Sequence, residues 1–433
     1  MGGLFETLKK AWHTPDLRKR LLYTLAMIVL FRVGGNIPVP GIDRVAFTNL
    51  LSRFGQLGSM MDIMSGGALA AVSIFAMGIT PYINASIIIQ LLTVAIPALE
   101  DMSKEGETGR KKIQQITRLV TVGLALLMGF AFWWSTRSAG TTVLPIWLNG
   151  IVVILSFTAG TVVIMWIAEL INEHGIGNGV SIIIFAGIVS RFPQMVRSLW
   201  MLSRQWAVNS VFLAVLYVIL FLAVVLGMLL LIIFVELGER RIPIQYSKRV
   251  VGRKVYGGQS TYLPIKVNQG GVLPVIFATS MMQIPNIIIA FFFQNSDGVV
   301  INWFRNFGSS PVYYLLMFLL IIAFTFFYSL IQFNPIEVSN NIQKNGGYIP
   351  GIRPGRPTSD FISKTSNRLC WFDGIFLAVV TLSPMLLGAL TGTGSSGIWF
   401  GGTAIIIIVG VCLDLQNQIE AQLSMRSYRG FLD

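Results

Sequence analysis

A succession of long apolar runs, separated by polar or basic connections, restricts this chain more than any other feature of its sequence. A helix rises about 1.5 Å per residue, so about 20 apolar residues cross the roughly 30 Å hydrocarbon core of a bilayer. With 54% hydrophobic residues the chain cannot hide such runs in a soluble core, so the sequence predicts an all-α membrane protein. We count ten runs, at residues 21–38, 77–97, 117–135, 150–171, 180–196, 210–236, 270–293, 311–333, 371–391 and 397–415.

The positive charges are unevenly distributed between the two sides of this array. The net charge is +13, and most of the 32 Lys and Arg residues lie in the N-terminal segment and in alternate connections between runs. Charged side chains are costly in hydrocarbon, and basic residues mark the cytoplasmic loops of membrane proteins. We therefore expect both termini in the cytoplasm, with residues 1–20 as an amphipathic segment and residues 416–433 as a tail.

The segment 55–67 breaks the apolar pattern shortly before the second run. Asp62 and several Gly and Ser residues interrupt its apolar positions. An acidic residue at the centre of a lipid-facing helix costs about 2.5–3.5 kcal/mol, and irregular backbone persists at membrane depth only where protein or water surrounds it. Pro81, which lacks a backbone N–H, separates this part from the long run after it. The segment is therefore predicted to lie inside the protein as a short, half-polar element.

The ten runs divide into two sets of five, which suggests a duplicated fold. After an odd number of crossings the chain is on the other side of the membrane, so a second half built like the first would have the opposite orientation. The second run begins Gly78-Ile79-Thr80-Pro81, and the seventh, second in its own half, begins Gly271-Val272-Leu273-Pro274. Gly/Pro-interrupted runs at matching positions point to a working site between the halves, although helix packing explains either tetrapeptide alone. We expect the halves at residues 21–205 and 206–415.

Two of the inner connections are long enough to project from the membrane. Residues 238–267 alternate apolar and polar positions on either side of Gly257-Gly258, which predicts a β-hairpin, and residues 334–368 contain a turn rich in Gly and Pro. Orientation in the membrane needs only a few charges near the run ends, so the basic residues on these projections favour docking to phosphate-rich RNA or to an acidic protein. The docking candidates are Arg240, Arg241, Lys248, Arg249, Arg253, Lys254, Arg353 and Arg356.

No constellation of catalytic or metal-binding residues is visible in the sequence. The two histidines, His13 and His174, lie in the N-terminal segment and just after a run, and there is no HExxH, P-loop or nucleophile motif. The two cysteines indicate neither a disulfide scaffold nor a metal cluster. We therefore expect no enzyme activity, no metal and no cofactor.

Isoleucines, rather than ionisable groups, occupy positions within the runs. Ile79 and Ile83 are four residues apart, as are Ile184 and Ile188, so each pair shares a helix face. A secondary transporter, which inverted halves would also suit, usually places charged or coordinating groups at mid-membrane. A collar of branched apolar side chains can form a constriction, but packing or lipid contact explains an arbitrary isoleucine better. The residues alone leave these interpretations open.

Several motifs closely resemble those of the SecY/Sec61-alpha family of protein-translocase channels. Residues 78–92 and 166–181 are similar to two signature stretches of that family, and the resemblance covers nearly the whole chain. It includes Arg18-Lys19-Arg20, Ile37-Pro38-Val39-Pro40-Gly41, the 238–267 hairpin, Gly351-Ile352-Arg353-Pro354-Gly355 and Phe400-Gly401-Gly402-Thr403. The fold that it implies has ten transmembrane helices in two inverted five-helix halves around an hourglass pore.

The resemblance also implies three sets of pore residues. A pore ring would contain Ile79, Ile83, Ile184, Ile188, Ile276 and Ile407. A plug at about 55–67 would close the pore from outside, with Gly58, Ser59, Met60, Met61, Asp62, Ile63, Met64, Ser65, Gly66 and Gly67. A lateral gate formed by the second and seventh spans, together with the third and eighth, would include Thr80, Pro81, Ile87, Gln90, Pro274 and Gln283.

The family's activity and partners follow from the same resemblance. The chain would pass unfolded secretory polypeptides across the bacterial cytoplasmic membrane and release hydrophobic segments, including signal sequences, laterally into the lipid bilayer. SecE and SecG would be its companion subunits, and the SecA motor ATPase or the ribosome with its rRNA would dock on the basic loops and drive translocation. Arg353 would match the arginine on which the motor depends. A secondary transporter of small solutes is the alternative.

Overall fold

The computed structural model describes residues 4–45, 47–48, 65–136, 145–207, 211–246, 249–251, 254–256, 260–292, 307, 310–391 and 402–429. Most of these residues are helical, as expected. The first half contains α1 (Leu4–His13), α2 (Pro15–Gly34), α3 (Thr80–Ala95), α4 (Pro97–Lys104), α5 (Glu107–Thr136), α6 (Ile146–His174), α7 (Gly179–Ser190) and α8 (Phe192–Ala207). The second half contains α9 (Val211–Glu236), β1 (Glu239–Tyr246), β2 (Arg249–Val251), β3 (Lys254–Tyr256), β4 (Ser260–Lys266), α10 (Leu273–Phe292), α11 (Pro311–Gln332), α12 (Pro335–Lys344), β5 (Gly347–Tyr348), α13 (Arg356–Thr391) and α14 (Gly402–Arg429).

The helices begin where the sequence supplies caps or proline. Proline occupies the first turn of α2, α3, α4, α11 and α12, where the missing N–H has no intrahelical partner to lose. Asn178 caps α7, because its side-chain oxygen accepts hydrogen bonds from the backbone N–H groups of Val180 (3.0 Å) and Ser181 (3.4 Å). Local sequence signals therefore account for these helix starts.

Five helical segments of the described chain are long and apolar enough to cross a membrane, and a sixth results if α3 and α4, bent by 101°, count as one span. These five segments are Glu107–Trp134, Ile146–His174, Val218–Glu236, Pro311–Lys344 and Gly402–Ser424. Each of the ten apolar runs overlaps a helix, but the fifth is divided where α7 ends at Ser190 and α8 begins at Phe192. The helical, multi-span class is confirmed, whereas the count of ten remains a prediction.

The two halves meet in a common hydrophobic core. Helix α5 contacts α3 and α6 in the first half, and α11 contacts α10 and α13 in the second. The contacts between the halves include α7 with α14, α3 with α10, α5 with α10, α1 with α14 and α8 with α9. Side chains of α3, α7, α10 and α14 belong to one buried core. Two of these contacts, α7–α14 and α3–α10, are therefore made by helices that occupy matching positions in the two halves.

The 238–267 connection forms the predicted hairpin and is joined to the second long connection. β1 pairs antiparallel with β4, and β2 with β3, in the same register; Val251 pairs with Lys254, so the pairing is not centred on Gly257-Gly258. β5, from the 334–368 connection, adds to the free side of β1 and gives the strand order β4-β1-β5. We call this three-stranded unit the loop sheet. Its core contains Ile242, Ile244, Ile265, Ile342, Ile349 and Ile362.

Candidate functional site

The six isoleucines of the predicted ring are all buried in the common core. Ile184 on α7, Ile276 on α10 and Ile407 on α14 line a single cavity of about 490 Å³, which we call the vestibule. Ile188 follows Ile184 by one turn of α7. At the start of α3, the backbone N–H of Ile83 donates to the carbonyl of Ile79 at 3.0 Å, so these two also lie one turn apart. The structure therefore brings three of the six together around one space and buries the others in the same core.

Polar side chains also line the vestibule, and we call this part of the lining the polar wall. It contains Glu236 at the end of α9, Lys266 at the end of β4, Asn268 just after β4, and Asp414 on α14. The side-chain Nδ2 of Asn268 donates to Glu236 Oε2 at 2.6 Å. The lining of the vestibule thus combines apolar and charged side chains. Sequence reasoning did not single out these polar residues, since each lies alone at the end of an apolar run.

The described part of the predicted plug is a tight turn at Ser65–Gly67 that is held by two neighbouring elements. The carbonyl oxygen of Gly66 accepts hydrogen bonds from Arg32 Nη1 on α2 (2.8 Å) and from Ser190 Oγ on α7 (3.3 Å). Gly66 has φ +67°, and a Cβ there would lie 2.8 Å from the Cα of Gly187. The turn therefore requires glycine for both its conformation and its space. The predicted plug residues Gly58, Ser59, Met60, Met61, Asp62, Ile63 and Met64 lie outside the described residues.

The chain from this turn to α3 is an irregular buried segment. Ser65 Oγ accepts a hydrogen bond from the backbone N–H of Leu69 at 3.1 Å. Phe75 stacks on Phe31 of α2 with ring centroids 5.9 Å apart. Val72 has φ +50°, a strained conformation for a β-branched residue that persists only where the surroundings hold it. The prediction that irregular backbone precedes the second span inside the protein agrees with this burial, although the helix begins at Thr80 rather than at residue 77.

The predicted gate lies where α3 contacts α10. Thr80 and Pro81 form the first turn of α3, and Pro274 is the second residue of α10. Pro81, Pro274 and Ile87 are buried. The side-chain oxygen of Gln90 is also buried, and it accepts no hydrogen bond from any residue that the structure describes. The side chain of Gln283 lies outside the described part of the chain.

An ion pair connects α5 and α6 beside the gate helix. Arg118 Nε on α5 lies 2.6 Å from Glu169 Oε1 on α6, and Gln114 Nε2 donates to the same oxygen at 3.4 Å. The side chain of Glu169 is only 14% exposed, so its charge needs this partner. The pair satisfies two charges that lie near the ends of predicted spans.

The described basic loop residues lie on or beside the loop sheet. Arg240 and Arg241 lie exposed on β1, and Arg353 and Arg356 lie exposed beside the loop sheet. The turn around Arg353 is fixed at both ends by glycines with positive φ, Gly351 (+82°) and Gly355 (+98°). The backbone carbonyl of Arg353 accepts a hydrogen bond from Thr358 Oγ1 at 2.9 Å. Lys248 and Arg253 lie outside the described residues, as do the side chains of Arg249 and Lys254.

Within the described residues, no group of three or more His, Cys, Asp or Glu side chains could hold a metal ion. The features that the structure brings together are the buried isoleucines, the polar wall, the glycine turn and the contact between α3 and α10.

The comparisons with known proteins agree with this geometry. A family model described as SecY matches residues 73–416. A protein translocase subunit SecY of Streptomyces galbus is 46% identical over 98% of this chain and 98% of its own length.

Solved structures share the fold. One is of a SecY protein whose plug domain is described as stabilising the closed state of the translocation channel and maintaining a membrane seal; it has a TM-score of 0.62 and 17% identity, and covers 93% of this chain and 92% of that one. Sec61 in the canine ribosome–channel complex from the endoplasmic reticulum has a TM-score of 0.57 and 15% identity, with the same coverage of both chains.

Proposed function

This chain belongs to the SecY family, and we propose that its buried isoleucines, its Ser65–Gly67 turn and its α3–α10 contact are the working parts of a protein-conducting channel. It passes unfolded polypeptides across the membrane and releases hydrophobic segments into the lipid, driven by SecA or the ribosome. The observation that carries the assignment of parts is that Ile184, Ile276 and Ile407, from three helices and both halves, line one vestibule.

The isoleucine collar acts as a seal that adapts to its contents. Branched apolar side chains exclude water and ions when the space between them is small, and they offer no hydrogen bonds by which a passing chain would be held. Burial of all six isoleucines in one core supports a closed constriction. A polypeptide replaces these contacts with its own side chains, so the collar remains in contact with whatever fills it.

The glycine turn connects the plug to the collar. Gly66 rests against Gly187 on α7, the helix that also carries two ring isoleucines. When α2 and α7 separate, the two hydrogen bonds to the Gly66 carbonyl cannot both survive, because Arg32 and Ser190 lie on different helices. A movement of α7 away from α2, both in the first half, therefore releases the turn and the plug with it.

The α3–α10 contact is the lateral gate. A signal sequence is an apolar helix, and it can replace the helix contacts between α3 and α10 with contacts of its own. The two helices occupy matching positions in the two halves, so their separation opens the interface between the halves. The overall fold that we propose has ten spans in two inverted halves around an hourglass pore.

The loop sheet is the docking platform for the driving partner. Its exposed arginines lie on a support made from both long loops, so a force applied at Arg353 reaches β1 through β5. The structural relative in the canine ribosome–channel complex supports a ribosome contact. SecA, SecE and SecG are the further partners that we assign to this chain, and the energy for translocation comes from SecA or the ribosome, since the chain itself hydrolyses nothing.

The chain is a multi-pass membrane protein, and we assign it to the bacterial cytoplasmic membrane with both termini in the cytoplasm. The concentration of Lys and Arg in alternate connections supports that orientation. With that orientation the loop sheet and the vestibule face the cytoplasm, and the Ser65–Gly67 turn belongs to a plug that closes the channel from outside.

Replacing Gln90 with leucine should make the gate harder to open. An unpaired buried polar atom costs about 1–3 kcal/mol, and leucine removes that cost from the closed state. A free-energy change of 1.4 kcal/mol alters an equilibrium constant about tenfold, so export of precursors with weakly hydrophobic signals should fall about 5- to 140-fold. Precursors with strongly hydrophobic signals should be less affected. The measurement is SecA-driven uptake of a signal-hydrophobicity series into membrane vesicles.

The matched control is Gln115→Leu, the same change at an exposed position on α5. Equal export by Gln90→Leu and the control across the whole series would contradict the gate assignment. Vesicles that take up a small solute but no precursor would contradict the channel function itself and restore the secondary-transporter alternative.

A further inference from the structure

The vestibule carries negative charge that sealing does not explain. Asp414 lies seven residues after Ile407 on α14, which places it about 10 Å from the collar toward the cytoplasm at 1.5 Å per residue. Glu236 lies at the end of the adjacent helix α9, and both carboxylates line the same cavity. Lys266 is the one cationic side chain among the described residues that line it. The mouth of the channel is therefore acidic in a chain whose net charge is +13.

Asn268 supplies a second and independent indication of a ligand. This side chain is 4% exposed and lines the vestibule. Its Nδ2 donates to Glu236 Oε2, while its Oδ1 is buried and accepts no hydrogen bond from the described residues. A buried acceptor without a donor is costly, and here it lies beside a carboxylate. The wall therefore offers oxygen acceptors to a group that brings N–H donors and positive charge.

The position of the polar wall indicates which positively charged group it would bind. The vestibule is also lined by Val272 and Leu273, where α10 begins, so the acidic wall adjoins the cytoplasmic end of one gate helix. A signal sequence consists of a positively charged n-region followed by an apolar stretch of about 7–15 residues. If the apolar stretch lies against α10, the n-region that precedes it reaches the vestibule wall.

We propose that Glu236, Asn268 and Asp414 form a subsite that binds the Lys or Arg side chains of the signal-sequence n-region. This inference rests on the proposed channel function and adds to it a recognition step. The subsite holds the n-region on the cytoplasmic side while the apolar stretch enters the gate. The channel thus distinguishes signal sequences by charge as well as by hydrophobicity.

The test is a charge exchange in membrane vesicles that contain the complete translocase. Precursors share one apolar stretch and carry n-regions with lysines, with no charge or with glutamates. We expect the unmodified channel to transport the lysine form about tenfold faster than the glutamate form, and Asp414→Lys to reverse that order. Glu236→Gln keeps an acceptor for Asn268 but loses the charge, so it should reduce the preference without reversing it.

The matched control is Glu420→Lys, which makes the same change in charge on the same helix but outside the vestibule. It should keep the order of the unmodified channel. If Asp414→Lys keeps that order too, or slows all precursors equally, the subsite is overturned while the channel function stands. If the unmodified channel transports no member of the series, the proposed function fails and the subsite fails with it.

Discussion

Replacing Gly66 with valine should make the resting channel leak ions. A side chain at φ +67° costs about 1–2 kcal/mol in backbone strain. The new Cβ would also lie 2.8 Å from the backbone of Gly187, and overpacking of this kind costs about 1–3 kcal/mol. Together these terms shift the balance between the seated and unseated turn by at least about 30-fold, at 1.4 kcal/mol per factor of ten. The turn must then leave its position, and both hydrogen bonds to its carbonyl are lost.

The measurement is ion conductance of bilayers that contain the purified channel without substrate. The matched control is Gly123→Val on α5, because a Cβ at Gly123 meets nothing within 4 Å. We expect high conductance from Gly66→Val and a tight membrane from the control. A tight membrane from a folded Gly66→Val channel would show that the Ser65–Gly67 turn is not part of the seal.

Charge reversal at Arg353 should nearly abolish SecA-driven export. Its side chain is exposed on a turn fixed by two positive-φ glycines, so the substitution alters the docking surface and leaves the fold intact. Truncation of one partner of a desolvated charge pair costs about 2–5 kcal/mol, so Arg353→Glu should slow export by at least about 30-fold. Arg353→Lys keeps the charge but loses the planar fork of donors, and it should have a smaller effect.

Export should be measured as protease-protected precursor in vesicles with equal amounts of channel protein. Lys364→Glu provides the control, since it reverses an exposed charge in α13, the helix that follows the turn. If Arg353→Glu and Lys364→Glu export at the same rate as the unmodified channel, the turn is not the motor contact. Equal loss in both variants would show a general effect of charge and would also remove the special role of Arg353.

Much of the fold follows from local patterns in the sequence. Apolar runs predict helices because the bilayer forces every backbone group to find an internal partner, and each run overlaps a helix. Alternation in 238–267 predicts the hairpin, and the Gly/Pro turn predicts an exposed Arg353. The positive φ of Gly66 fits the unusual glycine content of the segment that contains it.

Other structural features depend on contacts between residues that are distant in the sequence, and a local sequence pattern cannot predict such contacts. β5 is only two residues long, so its pairing with β1 across about a hundred residues leaves no periodic signal. The same applies to Gln269, whose side-chain oxygen accepts hydrogen bonds from Ser329 Oγ (2.5 Å) on α11 and Ser366 Oγ (3.1 Å) on α13. The acidic wall of the vestibule was missed for this reason, because Glu236 and Asp414 come together only in the folded chain.

The central claim is that a polypeptide passes through the isoleucine collar. The most direct measurement places a cysteine at Ile83 and a single cysteine in a secretory precursor that is stalled during transport, and scores disulfide crosslinks in membranes. Ile321→Cys, at a buried isoleucine of α11 that is not part of the predicted ring, is the control. We predict crosslinks at position 83 that require the signal sequence, SecA and ATP, and none at position 321. Transport of the precursor without crosslinks at position 83 would contradict the account, because the chain would then cross by another route.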